Sequence, residues 1–315
     1  MAFELVAFKH SVYRLLDPEV KVSLKALGVH VNAAVVDKIL HVKLIRPYTV
    51  LDPVSWLQVM QSLITALAAC EQWSVEVQCR ESMVSRQPVK AARHPKIKNV
   101  VAVLSGKGGV GKSTLTANLA VALSQKGWGV GILDADIHGP SQMLMMGVEQ
   151  AGQATVEVPA VCHQVQVVSM GAYLKLGQPA AWRGPMASKA LMQLFTQAAW
   201  SDLDFLLVDC PPGTSDVLMT LAEAMPIVGG VLVTTPQVAS VMDAERAGGL
   251  MKKLSVPILG VVENMSGHVC LACGDESPGV FGQGGGEVLA ECLNTQCRGQ
   301  LPLMRSVSRA GDMGV

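Results

Sequence analysis

Gly106-Lys107-Gly108-Gly109-Val110-Gly111-Lys112-Ser113 decides the fold. The eight residues fit G-x-x-x-x-G-K-[ST], the pattern of a loop that cradles phosphates. Asn99-Val-Val-Ala-Val-Leu-Ser105 before them is an apolar run of strand type. Thr114 to Lys126 after them carries Leu115, Leu119, Ala122 and Leu123 at helical spacing, and Gly127 is a stop. A strand, a glycine loop and a helix N-terminus form an anion site, because loop N–H groups point inward and the helix dipole favours negative charge. The glycines let the backbone turn sharply and approach phosphate oxygens. Lys112 is predicted to reach the β- and γ-phosphates, and the Ser113 hydroxyl to bind Mg²⁺.

Outward from this loop, from Asn99 on, strands and helices alternate. Val130-Gly-Ile-Leu-Asp-Ala-Asp136, Val165 to Met170, Asp204-Phe-Leu-Leu-Val-Asp209, Val228 to Thr235 and Ile258 to Asn264 read as strands, and Ala187 to Trp200 as a helix. Near-continuous apolar strands separated by helices predict an α/β fold with a parallel sheet flanked by helices on both faces. Ligands of such sheets bind at the carboxyl ends of the strands. Asp134, Asp136 and Asp209 fall at that edge, which favours metal and water handling over plain helix capping. Asp209, in Asp209-Cys-Pro-Pro-Gly-Thr214, is placed to hold a Mg²⁺-bound water, and the loop after it to report on the γ-phosphate. Asp136 is the candidate for orienting the attacking water. Lys107 is a second lysine inside one loop. It is either a solvated side chain or a charge supplied in trans to nucleotide held by a partner subunit.

The N-terminal residues read differently. Phe3 to Leu16 and Pro53 to Cys70 have helical spacing, Asp17-Pro18-Glu19 ends the first of these, and Lys38 to Ile45 and Trp73 to Cys79 read as strands. This predicts a small α+β domain over 1–80, with no recognisable catalytic set. A polar, basic stretch with Pro88 and Pro95 follows as a linker over 81–98, and the P-loop domain occupies 99–315. Of 315 residues half are hydrophobic, and formal net charge is zero. A substantial core is available, and nothing suggests general attraction to nucleic acid. Neither a signal-peptide pattern nor a membrane-length apolar run is present, so a cytoplasmic protein with reduced thiols is expected, with no nucleic-acid or membrane partner.

Cys270-Leu-Ala-Cys273 places two thiolates at a spacing that suits one metal or cluster. It is read in a loop, which disfavours a thioredoxin-type pair. No second C-x-x-C exists in the chain. A four-cysteine site therefore needs other ligands or a second copy of the pair, and a two-fold homodimer supplies that copy. Zinc competes, with His268, Cys292 or Cys297 as further ligands. Cys162 and Cys210 read as structural.

Gly106 to Thr114 is similar to the deviant Walker A motif of the partition-protein, septum-site and nitrogenase-iron-protein superfamily. Asp134-Ala-Asp-Ile-His-Gly-Pro-Ser141, Trp182-Arg-Gly-Pro-Met186, Asp209 to Thr214, Thr234-Thr-Pro-Gln237, Val262-Glu-Asn-Met-Ser266 and the cysteine pair resemble the Mrp/ApbC/Nbp35 group of iron–sulfur cluster carrier ATPases. The N-terminal part resembles a MIP18-like domain. The resemblance implies Mg²⁺-dependent ATP hydrolysis and a homodimer holding a [4Fe–4S] cluster between the Cys270 and Cys273 pairs of its two chains. It further implies cluster scaffold proteins and apo iron–sulfur recipients as partners. Lys107 becomes the lysine acting across the dimer, and Asn264 approaches the adenine. Departures are Leu271-Ala272 where the family usually has proline, and His138 where tyrosine is common. Two competing functions are a partition- or septum-site-type positioning ATPase, which gives the cysteine pair no role, and an ATP-driven reductase, which needs cysteines at two separated positions. The tail from Leu301 shows no clear amphipathic helix or basic face of the kind a positioning ATPase needs.

Overall fold

The computed structural model describes residues 5–18, 23–25, 29–37, 39–46, 53–68, 74–81, 94–137, 139–148, 158–173, 184–269 and 276–315. The chain divides into two compact units, Met1–Val84 and Ser85–Val315.

The first unit holds α1 (Leu5–Arg14), β1 (His30–Val36), β2 (Ile39–Arg46), α2 (Pro53–Ala68) and β3 (Ser74–Glu81). Its sheet runs β1-β2-β3. β1 is antiparallel to β2, and β2 is parallel to β3. The parallel pair requires a crossover, which α2 supplies. Strict alternation along β2 buries Leu40, Val42, Leu44 and Arg46. The three apolar ones pack with Phe8, Val12, Trp56, Met60 and Ile64 in one core, and the Arg46 guanidinium lies over the Trp56 ring. Asp17, read as the end of a helix, is fully buried and accepts a hydrogen bond from Trp56 Nε1 at 2.7 Å. Its carboxylate therefore ties the segment after α1 to α2, across 39 positions of sequence.

The second unit is a nine-stranded sheet. Its strands are β4 (Ile97–Ser105), β5 (Val130–Asp134), β6 (Ala160–Cys162), β7 (Val165–Ser169), β8 (Leu203–Asp209), β9 (Ile227–Thr234), β10 (Ile258–Val269), β11 (Glu276–Pro278) and β12 (Cys297–Leu303). They lie in the order β11-β10-β9-β4-β8-β5-β7-β6, with β12 paired to β10. The interior pairs are parallel, and so is β10 with β12. β6 and β11 at the two ends are antiparallel, a feature that the apolar pattern did not predict. Helices α3 (Lys112–Gln125), α5 (Gly184–Gln197), α6 (Asp216–Ala224), α7 (Val238–Lys253) and α8 (Gly285–Cys292) connect the strands, with the single turn α4 (Gln142–Met145) after β5. Both sheet faces are covered. Leu206 packs with Leu104, Leu133, Leu191 and Phe195 on one side, and its neighbour Leu207 with Val101, Ala120 and Ile132 on the other.

β3 reaches Glu81 and β4 begins at Ile97. Both ends of the stretch assigned to a linker are thus strand, and residues 82–93 lie outside the described ones. The tail, expected to show no clear amphipathic helix, forms α9 (Arg305–Met313), in which polar and apolar residues segregate to opposite faces. Its Gly314 backbone closes on Gly147, and His163 Nε2 lies 3.2 Å from Gly314 O. Among the described residues no helix is long and apolar enough to cross a membrane.

Candidate nucleotide site

The phosphate loop runs from the end of β4 to the first turn of α3. Gly111 caps that helix with φ 85°, a left-handed conformation that favours glycine. A Cβ there would also lie 2.1 Å from Asn264 Nδ2. At Gly106 a Cβ would meet the backbone of Asp243 in α7 at 2.0 Å, so the loop's first glycine is set by close approach. Gly108 and Gly109 face open space. A cavity of about 250 Å³ lies over the loop, lined by its glycines, Lys107, Lys112, Ser113, Asp136 and Pro212.

Parallel pairing puts Asp134 of β5 directly beside Asp209 of β8, and both are fully buried. Asp209 carries the centre. Its Oδ1 accepts a short hydrogen bond from Lys112 Nζ and one from Thr116 Oγ1 at 3.4 Å. Its Oδ2 accepts from Gln142 Nε2 at 2.8 Å. Lys112 Nζ also lies 3.6 Å from Asp136 Oδ2 and 3.5 Å from Ser113 Oγ. Burial works against the lysine charge, but the Asp209 carboxylate outweighs it and holds the Lys112 pKa above its usual value. Burial pushes the neighbouring Cys210 thiol up to about 12. That thiol stays protonated, as its structural assignment requires.

Asp134 accepts from the Asp136 N–H at 3.2 Å, the Gln142 N–H at 3.1 Å and Ser169 Oγ at 3.0 Å. These bonds fix the segment after β5. Burial, reinforced by the Asp209 charge, pushes the Asp134 carboxyl up to about 7. Its folded pKa therefore exceeds the unfolded value, near ~3.9. The folded state holds the extra proton between these values, so this group's contribution to stability falls as pH rises through that window and its penalty is complete above about 7. Asp134→Asn removes the titration. Relative to the wild type, the variant is expected to gain on the order of 1–3 kcal/mol between pH 5 and pH 8. It also loses the Asp136 N–H bond, a cost independent of pH, so the pH slope from denaturant unfolding is the readout. Parallel slopes for the two proteins would contradict the assignment.

Lys107, Gly108, Gly109, Gly111 to Thr114 and Asp136 line one cavity, and Asp209 is buried beneath it, bonded to Lys112. The Asp209–Thr214 segment is bound to the loop's base by Gly213 N to Ser105 O at 2.8 Å. Lys107 is part-exposed at the cavity and has no ion pair among the described residues. Asn264 is occupied by the protein itself. Its Nδ2 donates to Val110 O at 2.9 Å, and its Oδ1 accepts from Met265 N at 2.9 Å. It thus braces the phosphate loop from β10. Gln142 is the residue that sequence reading missed. Cys270 and Cys273 lie in residues 270–275, outside the described residues. The flanking residues Val269 and Glu276 pair with each other in the β10–β11 ladder. His268 is exposed on β10, Cys292 ends α8 and Cys297 begins β12. Among the described residues no group of three or more His, Cys, Asp or Glu is arranged to hold a metal.

A phosphate loop between β4 and α3, acidic ends on the adjacent strands and a mainly parallel sheet define a P-loop NTPase. The family model described as ParA, NUBPL iron-transfer P-loop NTPase, matches residues 96–315, and the chain belongs to that family. It is 41% identical over 309 residues to the iron–sulfur cluster carrier protein of Escherichia coli K12, covering 94% of this chain and 81% of that one. It is 48% identical over 223 residues to the iron–sulfur cluster carrier protein of Pseudomonas fragi, covering 69% and 77%. Among solved structures, the Archaeoglobus fulgidus nucleotide-binding protein in complex with ADP superposes with a TM-score of 0.59 at 34% identity, over 70% of this chain and 87% of that one.

Proposed function

We propose that this protein carries an iron–sulfur cluster and passes it to apo-proteins in the cytoplasm, with binding and hydrolysis of ATP linked to loading or delivery. The observation that carries the reading is the course of β10. Asn264 on this strand holds the phosphate loop, and the strand ends at Val269, immediately before Cys270. The strand that braces the phosphate loop thus leads in sequence to the thiol pair.

The residues present fit ATP and Mg²⁺. The loop glycines leave room for phosphate oxygens, and Asp136 Oδ1 is buried without a hydrogen-bond partner among the described residues. Ser113 Oγ would be the protein ligand to Mg²⁺, with Asp209 accepting from a water on it; the ion would neutralise charge on the β- and γ-phosphates. Lys112 has two partners to choose between. Paired with Asp209 it stabilises the nucleotide-free pocket, and on the phosphates it stabilises charge. Asp136, already 3.6 Å from that ammonium, orients the attacking water. Lys107 reaches the nucleotide of the partner subunit. Asn264, the residue expected to approach the adenine, also braces the phosphate loop through Val110.

The cargo is a [4Fe–4S] cluster held between two chains by Cys270 and Cys273 of each. Scaffold proteins supply it. A positioning ATPase fits less well, because the family model is an iron-transfer one and both compared relatives are named cluster carriers. Incubating the anaerobically loaded protein with an apo [4Fe–4S] dehydratase tests the reading. The acceptor is expected to regain activity at the rate at which the carrier loses its visible absorption. An acceptor that regains activity no faster than with free iron and sulfide would contradict transfer.

A further inference from the structure

Gln142 opens the single-turn helix α4 and is fully buried. Its side chain is an unusual choice there, because its Oε1 has no hydrogen-bond partner among the described residues, a cost of about 1–3 kcal/mol. What offsets that cost is on the other end of the amide. Nε2 donates to Asp209 Oδ2 at 2.8 Å and to the Ser113 carbonyl at 3.0 Å. The residue's own backbone N–H donates to Asp134 Oδ2 at 3.1 Å. One residue therefore ties together the acid at the end of β8, the loop residue Ser113 and the segment that carries Asp136.

We infer that Gln142 is a positioning residue for the hydrolytic reaction, holding the Asp209 carboxylate in one plane when Lys112 leaves it for the phosphates. The inference rests on the ATPase reading above. The division of labour on Asp209 makes the case. Lys112 and Thr116 bind Oδ1, whereas among the described residues Gln142 alone binds Oδ2. When the ammonium transfers to the nucleotide, Oδ1 loses its charged partner and becomes available to a metal-bound water. Oδ2 keeps the amide, so the carboxylate does not rotate. The same amide fixes the peptide of Ser113, and with it the origin of the Ser113 side chain. Gln142 touches neither nucleotide nor water in this role; it acts through Asp209 and Ser113.

The test uses the full-length protein with Gln142→Met, which keeps the volume and removes both amide bonds. ATP turnover is measured against Mg²⁺ concentration, and ADP affinity is measured without Mg²⁺. The expected result is a fall in kcat of about tenfold or more, with a similar rise in the Mg²⁺ concentration for half-maximal rate. ADP affinity without Mg²⁺ stays within about twofold, because the loop glycines and Lys112 are retained and only the bond to the Ser113 carbonyl is lost from the loop. A residue with only a structural role would move ADP affinity and thermal stability together and leave the Mg²⁺ dependence alone, and that outcome overturns the inference. Unchanged kcat and Mg²⁺ dependence overturn it equally. Gln142→Asn, with the amide retained but one methylene short, is expected to show the same Mg²⁺ signature and serves if the methionine variant does not fold. A wild-type protein with no ATP turnover would instead remove the ATPase reading itself.

Discussion

Lys112→Ala is expected to lose ATP hydrolysis by a factor on the order of 10²–10³ or more, the scale for removing a donor aimed at developing charge. The side chain has two anionic partners within reach, Asp209 and Asp136. It is 6% exposed, so its charge acts where water screens little. Alanine also leaves Asp209 buried without its cation, and breaking a buried pair from one side costs about 3–5 kcal/mol. Part of any loss could therefore be a loss of folded protein. Lys112→Gln separates the two effects, because an amide still donates to Asp209 but brings no charge to the phosphates. Turnover is expected to vanish in both variants, with the glutamine variant melting closer to wild type. Hydrolysis at the wild-type rate in well-folded Lys112→Gln would show that the loop has been misassigned.

Cys270→Ala and Cys273→Ala are each expected to abolish cluster binding while leaving nucleotide affinity unchanged. Two thiolates per chain make four per dimer, and each substitution removes two from the shared cage. A cluster that needs four thiolates is not held by the remaining pair. Nucleotide binding is spared because the substitutions leave the phosphate loop, its brace Asn264 and Asp209 unchanged. Iron content and visible absorption after anaerobic reconstitution, with ADP titration on the same samples, check both halves. Full iron content in the double variant would remove the cluster assignment.

The site was legible where chemistry and chain position coincide. The phosphate loop is contiguous, and Asp134 and Asp209 end apolar runs that can only be interior strands of a covered sheet. Several features escaped for physical reasons. β12 contains Gly299 and Pro302 and pairs with β10, and its sequence has neither an apolar run nor clear alternation. Arg305 to Met313 has serines and a glycine in place of strong helix formers, and its helix is stabilised by docking near Gly147, which no local pattern reveals. Gln142 looks like an ordinary polar residue after a turn. Its partner Asp209 is 67 positions away and meets it only once the strands align. Asp17 is similar: its helix-ending position was readable, but its bond to Trp56 was not.

The account turns on two chains completing one cage. Anaerobic reconstitution of the wild-type protein, with iron and sulfide counted and native mass measured on the same sample, tests this most directly. The expected result is a dimer holding one [4Fe–4S] cluster per two chains. A protein that stays monomeric under loading, or that takes up a single zinc with ligands from one chain, would contradict it.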